Sequence, residues 1–246
     1  TSCLGYEHFM LKEICEQPRV INNTLNTNDF EKLWPGRPVP SSLLIVACGS
    51  SYHAGCVGEY ILEELLGIPV SVRQASELNY RLHYPVTPYA IFITQSGETA
   101  DVLIAMKKFR QAGTRCIVIT NVPNSTASRM ADEVLYINAG PEISVAATKS
   151  FTAQLLVLYQ FGLYFHERYH PNGWGVLNRE IESLSGKIQK IINHQNKIIA
   201  CAEHLAESNN AFFIGRGINY PVALEGALKL KEVSYIHAEA CAAGEL

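Results

Sequence analysis

The chain has 246 residues, of which 48% are hydrophobic, and its 20 basic and 23 acidic residues leave a formal net charge of −3. This length allows one large globular domain or two modest ones. The balanced charge predicts no nucleic-acid or membrane partner, and no apolar run approaches the roughly 20 residues that span a bilayer, so we expect a cytoplasmic protein.

The first forty residues predict a helical arm followed by a linker. Pro18 is the one strong helix breaker between His8 and Ile21, and Pro35-Gly36-Arg37-Pro38 closes the segment. We assign residues 1–40 to this arm and expect it to pack on a neighbour.

From residue 41 onward, short apolar strands alternate with helices. The β-rich runs lie at 43–47, 70–72, 90–93, 116–120 and 134–137, and the helices at about 52–66, 99–111, 125–130 and 146–164. Strands that are apolar throughout indicate a parallel sheet covered on both faces. Residues 41–170 are therefore predicted to form a complete α/β three-layer sandwich.

The rest of the chain predicts connecting helices and the start of a second α/β unit. A Pro-Asn-Gly break at 171–173 precedes a helical pair at about 175–206, and a strand at 211–214 leads through a Gly-Arg-Gly turn into a helix with Pro221 near its start. We assign residues 171–246 to this partial second subdomain. We expect either a cut chain or a partner that supplies the remaining strands.

Three predicted strands end in small or polar residues: Gly-Ser-Ser at 49–51, Thr-Gln-Ser-Gly-Glu-Thr at 94–99 and Gly-Arg-Gly at 215–217. The carboxyl ends of parallel strands form a ligand crevice at a topological switch point, so such turns can converge on one molecule. Hydroxyls of Ser51, Ser96 and Thr99, with amides at a helix N-terminus, suit a phosphate. The alternative is that Ser96 and Thr99 only cap the next helix, but the repetition of the turn favours the phosphate site.

A second group of candidate residues lies on the last predicted helix. Glu225, Lys229 and Glu232 are four and three residues apart, which places them on one face. Lys229 could hold a sugar oxygen or phosphate, and Glu232 could move a proton between adjacent carbons. An exposed salt bridge is the alternative. The apolar neighbours predict a buried helix, in which the pKa of a glutamate would rise into the range of a general base.

His166-Glu167-Arg168-Tyr169-His170 matches a zinc-binding pattern with two histidines one turn apart. The chain breaks directly after it, and no further strong ligand motif follows. We therefore predict no metal site, and we interpret the histidines as a polar helix terminus that suits the negative end of the helix dipole.

Five motifs occur in one combination: Ala-Cys-Gly-Ser-Ser-Tyr at 47–52, Gln-Ser-Gly-Glu-Thr-Ala-Asp at 95–101, Asn-Ala-Gly-Pro-Glu-Ile at 138–143, Ala-Leu-Glu-Gly-Ala-Leu-Lys-Leu-Lys-Glu at 223–232 and Ile-His-Ala-Glu-Ala at 236–240. Together they closely resemble the sugar isomerase (SIS) region of the glutamine–fructose-6-phosphate aminotransferase family. The resemblance covers nearly the whole chain, including the arm around Lys12-Glu13-Ile14 and Glu16-Gln17-Pro18.

This resemblance implies two SIS subdomains, a homodimer, and fructose 6-phosphate as the ligand on the route to glucosamine 6-phosphate, with no metal or organic cofactor. It implies that Lys229 contacts the substrate and that Glu232 is the base that moves a proton from C1 to C2. The residues that it implies for substrate binding are a phosphate cradle with its neighbours and two residues that line the sugar pocket: Thr94, Gln95, Ser96, Thr99, Ser50, Ser51, Val145 and Ala147.

The chain also departs from the family pattern. Ser50 and Ala147 replace a more usual threonine and serine. The glutaminase half, the Lys-His-Gly-Pro segment credited with ring opening and the tail with the Schiff-base lysine are absent from this sequence. We therefore expect a fragment of the aminotransferase that binds the sugar weakly at most and is inactive alone. A non-catalytic SIS module that senses phosphosugars is the alternative.

Overall fold

A five-stranded parallel sheet forms the centre of the computed structural model, which describes residues 5–81, 83, 87–169 and 175–246. The strand order is β2-β1-β3-β4-β5. In chain order the strands are β1 (Leu43–Ala47), β2 (Val70–Gln74), β3 (Tyr89–Thr94), β4 (Arg115–Thr120) and β5 (Glu133–Tyr136).

Seven helices belong to this first part of the chain. They are α1 (Phe9–Leu25), α2 (Phe30–Leu33), α3 (Gly49–Leu66), α4 (Ala75–Leu78), α5 (Ala100–Gln111), α6 (Thr126–Met130) and α7 (Lys149–Tyr169). Their packing produces two apolar layers. Alternate residues of β1 show this, since Ile45 packs in the layer with Phe161 of α7, whereas Val46 packs in the layer with Phe109 of α5. The predicted three-layer α/β sandwich is confirmed.

The remaining described elements form a smaller unit. They are α8 (Gly175–Glu182), α9 (Leu184–Asn193), α10 (Gln195–Ala206), β6 (Asn210–Gly215), α11 (Asn219–Ser234) and β7 (His237–Ala242). β6 and β7 pair in parallel as a separate two-stranded sheet. Phe212 and Ile214 of β6 are exposed, in contrast to the fully buried β1. The split of the chain at 40 and 170 stays a prediction.

Several predicted boundaries differ from the structure. Residues 49–51 form the first turn of α3 rather than a loop before it, and residues 175–206 form three helices rather than two. The helix predicted at 146–164 is α7, which begins at Lys149. α2, α4 and β7 were not predicted, because each is short or lacks β-branched residues.

The arm packs within the chain. α1 contacts α7 and α9, and it continues through Pro18 to Leu25, past the predicted end at 21. The side chain of Asn28, just after α1, exchanges two hydrogen bonds of 2.9 Å with the backbone of Tyr136. The arm therefore covers the β5 end of the sheet.

α3 and α7 approach closely through two glycines. A Cβ added to Gly58 would lie 2.8 Å from Leu158, and one added to Gly162 would lie 2.6 Å from Leu65. Real Cβ atoms do not approach that closely, so a side chain at either position would require the facing leucine to move. Among the described residues, no helix combines the length and apolar character needed to cross a bilayer.

Candidate functional site

The turns that follow β1 and β3 lie at the same edge of the sheet. β1 pairs in parallel with β2 on one side and with β3 on the other, so the chain order reverses between β1 and β3. The carboxyl ends of strands at such a switch point form the crevice in which open α/β sheets bind ligands. Ser50 and Ser51 follow β1, and the Thr94–Thr99 turn ends β3 and leads into α5.

The Thr94–Thr99 turn is organised by its own hydroxyls. Thr94 Oγ1 accepts from the Gly97 amide at 3.2 Å and lies 2.8 Å from Thr99 Oγ1, and the Glu98 amide donates to Ser96 Oγ at 3.1 Å. Gly97 has a φ of +71°, and a Cβ there would lie 2.1 Å from Ser125 Oγ. Glycine is therefore required at this position both for the backbone and for space.

These internal hydrogen bonds change the expected role of the turn. The Gly97 and Glu98 amides are partly used by the turn itself, so they do not form the open cradle that the sequence suggested. A hydroxyl that accepts a hydrogen bond keeps its own hydrogen, so Ser96 can still donate to a ligand oxygen. Thr99 lies at the N-cap position of α5, but its side chain makes no capping hydrogen bond. The alternative interpretation, in which Thr99 only caps the helix, is therefore not what the structure shows for this residue. Cys48, at the N-cap position of α3, also makes no side-chain capping bond.

Lys229 of α11 connects the smaller unit to this edge of the sheet. Its Nζ donates to Ser50 Oγ at 3.0 Å and lies 3.2 Å from Glu225 Oε1 and 2.7 Å from Glu232 Oε2. The two carboxylate contacts are ion pairs by distance and lack hydrogen-bond alignment. We call Ser50, His53, Glu225, Lys229 and Glu232 the ionic cluster. The predicted stripe on one helix face is thus present, and it faces the first turn of α3.

Glu225 is the buried carboxylate of the cluster, with a side chain only 7% exposed. Its Oε2 lies 2.8 Å from His53 Nδ1. Burial alone would raise the pKa of Glu225, but hydrogen bonds from His53 and Ser50 and the charge of Lys229 outweigh it and leave this pKa below its usual range. His53 was not predicted as a site residue, because a single histidine in a helix gives no signal without its distant partner.

The expected burial of the candidate general base, Glu232, was wrong. The Glu232 side chain is 29% exposed, Val233 beside it is exposed, and α11 as a whole is half-buried rather than buried. One side of α11 faces α3, and the side chain of Glu225 is more deeply buried on that side than the side chain of Glu232. Partial exposure leaves Glu232 accessible to a ligand, and Lys229 holds a positive charge next to it.

The third predicted turn does not join the other two directly. Residues 215–217 end β6 in the second sheet, and α11, which follows them, is the element that contacts α3. A cavity of about 640 Å³ at this edge shares only Gln95 with the predicted binding residues. Its other lining residues come from the ends of β4 and β5 and from the arm, and the ionic cluster is not among them.

The sequence pattern of the SIS domain matches residues 39–164 and 204–246. This chain belongs to the SIS domain family. The glutamine–fructose-6-phosphate aminotransferases (isomerizing) of Clostridium acetobutylicum and Methanosarcina acetivorans are 42% and 45% identical to the SIS chain over 98% of its length. The C-terminal domain of glucosamine-fructose-6-phosphate aminotransferase from Francisella tularensis has a TM-score of 0.86 at 36% identity, with 99% of the SIS chain and 72% of that domain covered.

These similarities place the SIS chain with the isomerase domain of that aminotransferase family, as the sequence motifs indicated. The chain spans about two fifths, 42%, of the length of both curated relatives. The activity of those longer proteins therefore reaches this chain only as a proposal.

Two predicted sugar-pocket residues lie in the connection between β5 and α7 of the SIS chain. We call residues 141–148 the β5–α7 segment. Val145 is 90% exposed, and Ala147 is half-buried. Neither lines the cavity that contains Gln95, although Pro141 and Glu142 of the same segment do. Their contact with a sugar stays a prediction.

The zinc pattern falls partly outside the described residues, since His170 is not among them. His166 Nδ1 lies 2.7 Å from the Leu65 carbonyl, so this ring is engaged with α3. The described part of the SIS chain contains no group of three or more potential metal ligands.

Proposed function

We propose that this SIS chain binds fructose 6-phosphate at the edge of the sheet between β1 and β3. We further propose that, within a longer aminotransferase, it catalyses the ketose-to-aldose proton transfer that forms glucosamine 6-phosphate. The observation that carries the proposal is the 3.0 Å hydrogen bond from Lys229 to Ser50. It brings an acid–base helix to the strand ends where a phosphorylated ligand is expected.

The phosphate group is assigned to the turn after β3. Ser96, Thr99 and Gln95 would supply neutral donors, with Thr94 holding the turn in shape and Ser51 beside it. Two helices, α3 and α5, begin at this edge, and their N-termini carry partial positive charge that favours an anion. The site has no lysine in the turn, so the phosphate would be held mainly by dipoles and hydroxyl groups.

The reacting carbons are assigned to the ionic cluster. Glu232 would take a proton from C1 of the open-chain sugar and return it to C2, so that the double bond moves and the ketose derivative becomes an aldose. Lys229 would hold the neighbouring sugar oxygen, and Ser50 orients the ammonium. Val145 and Ala147 would line the far side of the sugar from the β5–α7 segment.

The proposal extends to the assembly and its parts. Residues 1–40 would join a glutaminase domain in the longer protein, residues 41–170 would form the first SIS subdomain, and residues 171–246 would begin the second. A homodimer, a cytoplasmic location and an essentially inactive isolated chain complete the proposal, supported by the similarity to the aminotransferase family.

Calorimetric titration and proton exchange test this function together. We expect the chain to bind fructose 6-phosphate but not fructose, and Ser96→Ala to weaken binding about tenfold through the lost phosphate contact. Ser183→Ala, at the start of α9 and remote from this edge, serves as the control. Failure to bind fructose 6-phosphate would refute the assignment of the site.

Joined to the remaining parts of a longer aminotransferase, the chain in deuterium oxide separates an enzyme from a sensor. A catalytic site exchanges the C1 hydrogen of bound fructose 6-phosphate, which is measured by nuclear magnetic resonance, and Glu232→Gln abolishes the exchange with little change in affinity. A non-catalytic phosphosugar sensor, the second candidate, binds the ligand without exchange in either protein.

A further inference from the structure

Three polar residues on one face of the arm point into the start of α7 and the β5–α7 segment. Glu16 and Gln17 lie three and four residues after Glu13 on α1, so all three can face the same neighbour. Glu13 is buried and the other two are half-buried, and polar groups in such positions are costly unless they have partners. Each of the three has one here, and the partners lie in a short stretch of chain between residues 141 and 152.

Glu13 has the most unusual environment of the three. It is 2% exposed, and its carboxylate accepts hydrogen bonds from the Ile143 and Ser144 amides and from the Ser144 hydroxyl. A carboxylate that accepts several N–H groups fixes a stretch of backbone that has no regular structure of its own. The next residue along the chain is Val145, the exposed member of the predicted sugar pocket.

Contacts of Glu142 and Lys149 hold the ends of the β5–α7 segment. Glu142 Oε1 accepts from the Thr148 amide at 3.0 Å, which closes the segment on itself. Lys149, 2% exposed, donates to Glu16 Oε2 at 2.7 Å and to the Pro141 carbonyl at 2.6 Å. Burial would raise the pKa of Glu16, but the Lys149 ammonium outweighs it and lowers this pKa. The arm thus contributes charged partners both to the segment and to the helix behind it.

We propose that Glu13 is a positioning residue for the sugar-contacting segment, so that the helical arm controls affinity for the sugar part of the ligand. This inference rests on the proposed function. The hydrogen bonds that the Glu13 carboxylate accepts come from Ile143 and Ser144, so its influence on a ligand passes through the segment. Loss of its charge should therefore change recognition of the hexose and leave recognition of the phosphate unchanged.

Glu13→Gln is the direct test, because it keeps the shape and removes the charge and one acceptor. We expect faster amide hydrogen exchange at Ile143 and Ser144, roughly tenfold weaker binding of fructose 6-phosphate, and unchanged binding of inorganic phosphate. Thr152→Val is the matched control. It removes the 2.7 Å contact between Thr152 and Gln17, which also attaches the arm, together with a 3.4 Å bond to the Thr148 carbonyl at the end of the segment, but it leaves the hydrogen bonds of Ile143 and Ser144 in place.

Each outcome decides the inference. Equal weakening of fructose 6-phosphate and inorganic phosphate, or equal effects of the two variants, would show that the arm only stabilises the fold and would overturn the proposal. Unchanged exchange at Ile143 and Ser144 would also overturn it, even with sugar binding intact. A wild-type chain that binds no sugar phosphate would instead refute the proposed function. If Glu13→Gln does not fold, Ser144→Ala should produce a smaller change in the same direction.

Discussion

The Thr94–Thr99 turn and the ionic cluster lie at the same edge of the sheet but are held together differently. Hydroxyls and amides of the turn bond within five residues of one another, and the Glu98 carboxylate also accepts from the Thr126 amide at the start of α6. The cluster consists of charges that join positions 179 residues apart in the chain. The comparison teaches that the candidate anion end is held by the turn and by α6, 28 residues along the chain, whereas the candidate acid–base end exists only when α11 docks on α3.

Removal of Lys229 should have the largest effect on stability. Lys229→Met leaves the buried Glu225 and the neighbouring Glu232 without their cation, and breaking such a pair costs about 3–4 kcal/mol. Urea unfolding measures the loss. Lys231→Met, at an exposed position of the same helix, should cost less than about 0.5 kcal/mol. Similar values for the two variants would mean that the cluster does not hold α11 in place.

Substitution of Gly97 should destabilise the Thr94–Thr99 turn. Gly97→Ala combines a positive φ with a clash against Ser125, and we expect a loss of about 3 kcal/mol. Gly113→Ala is a matched comparison, because Gly113 also has a positive φ, +84°, but open space around it. That variant should lose only about 1 kcal/mol, from backbone strain alone. Thermal unfolding of both variants measures the two stability losses. Their difference reports the clash with Ser125, and equal losses would show that the clash is absent.

The smallest of these effects depends on pH. Because the pKa of Glu225 is lowered in the folded protein, its ionised form adds stability that is complete at neutral pH and is lost as the pH falls through the folded pKa. Glu225→Gln should therefore cost about 2 kcal/mol at pH 7, and this difference from the wild type should shrink steadily below about pH 4.5. Urea midpoints at a series of pH values measure it, and a difference that grows on acidification would contradict the sign.

The local elements of the fold could be predicted from the sequence. β1 was predicted with its observed bounds, because a fully apolar run ends at Gly49 and both sides of the sheet are covered. β7 could not be predicted, since His-Ala-Glu-Ala-Cys-Ala has little strand preference. It becomes a strand by pairing in register with β6, where Asn210 lies opposite His237.

The sequence named candidate residues for the site but not their arrangement. Spacing placed Glu225, Lys229 and Glu232 on one face, but nothing in the sequence says which turn of that helix is buried. The roles of His53 and Glu13 depend on partners 172 and 130 residues away, so neither has a local signature. The resemblance named the residues of the turn, and only the structure shows that their hydroxyls bond to one another.

The glycine crossing of α3 and α7 extends the site beyond the residues that touch a ligand. α3 has 18 residues and is therefore a rod about 27 Å long, with Ser50 and Ser51 at one end. Gly58 sits midway along the rod, and Gly162 meets its other end. A methyl group at Gly162 would meet the side chains of Leu65 and Leu62, so the packing of that end of the rod against α7 would have to change. Sequence changes in the interior, two or more helical turns from Ser50, would thus reach the candidate site through this helix.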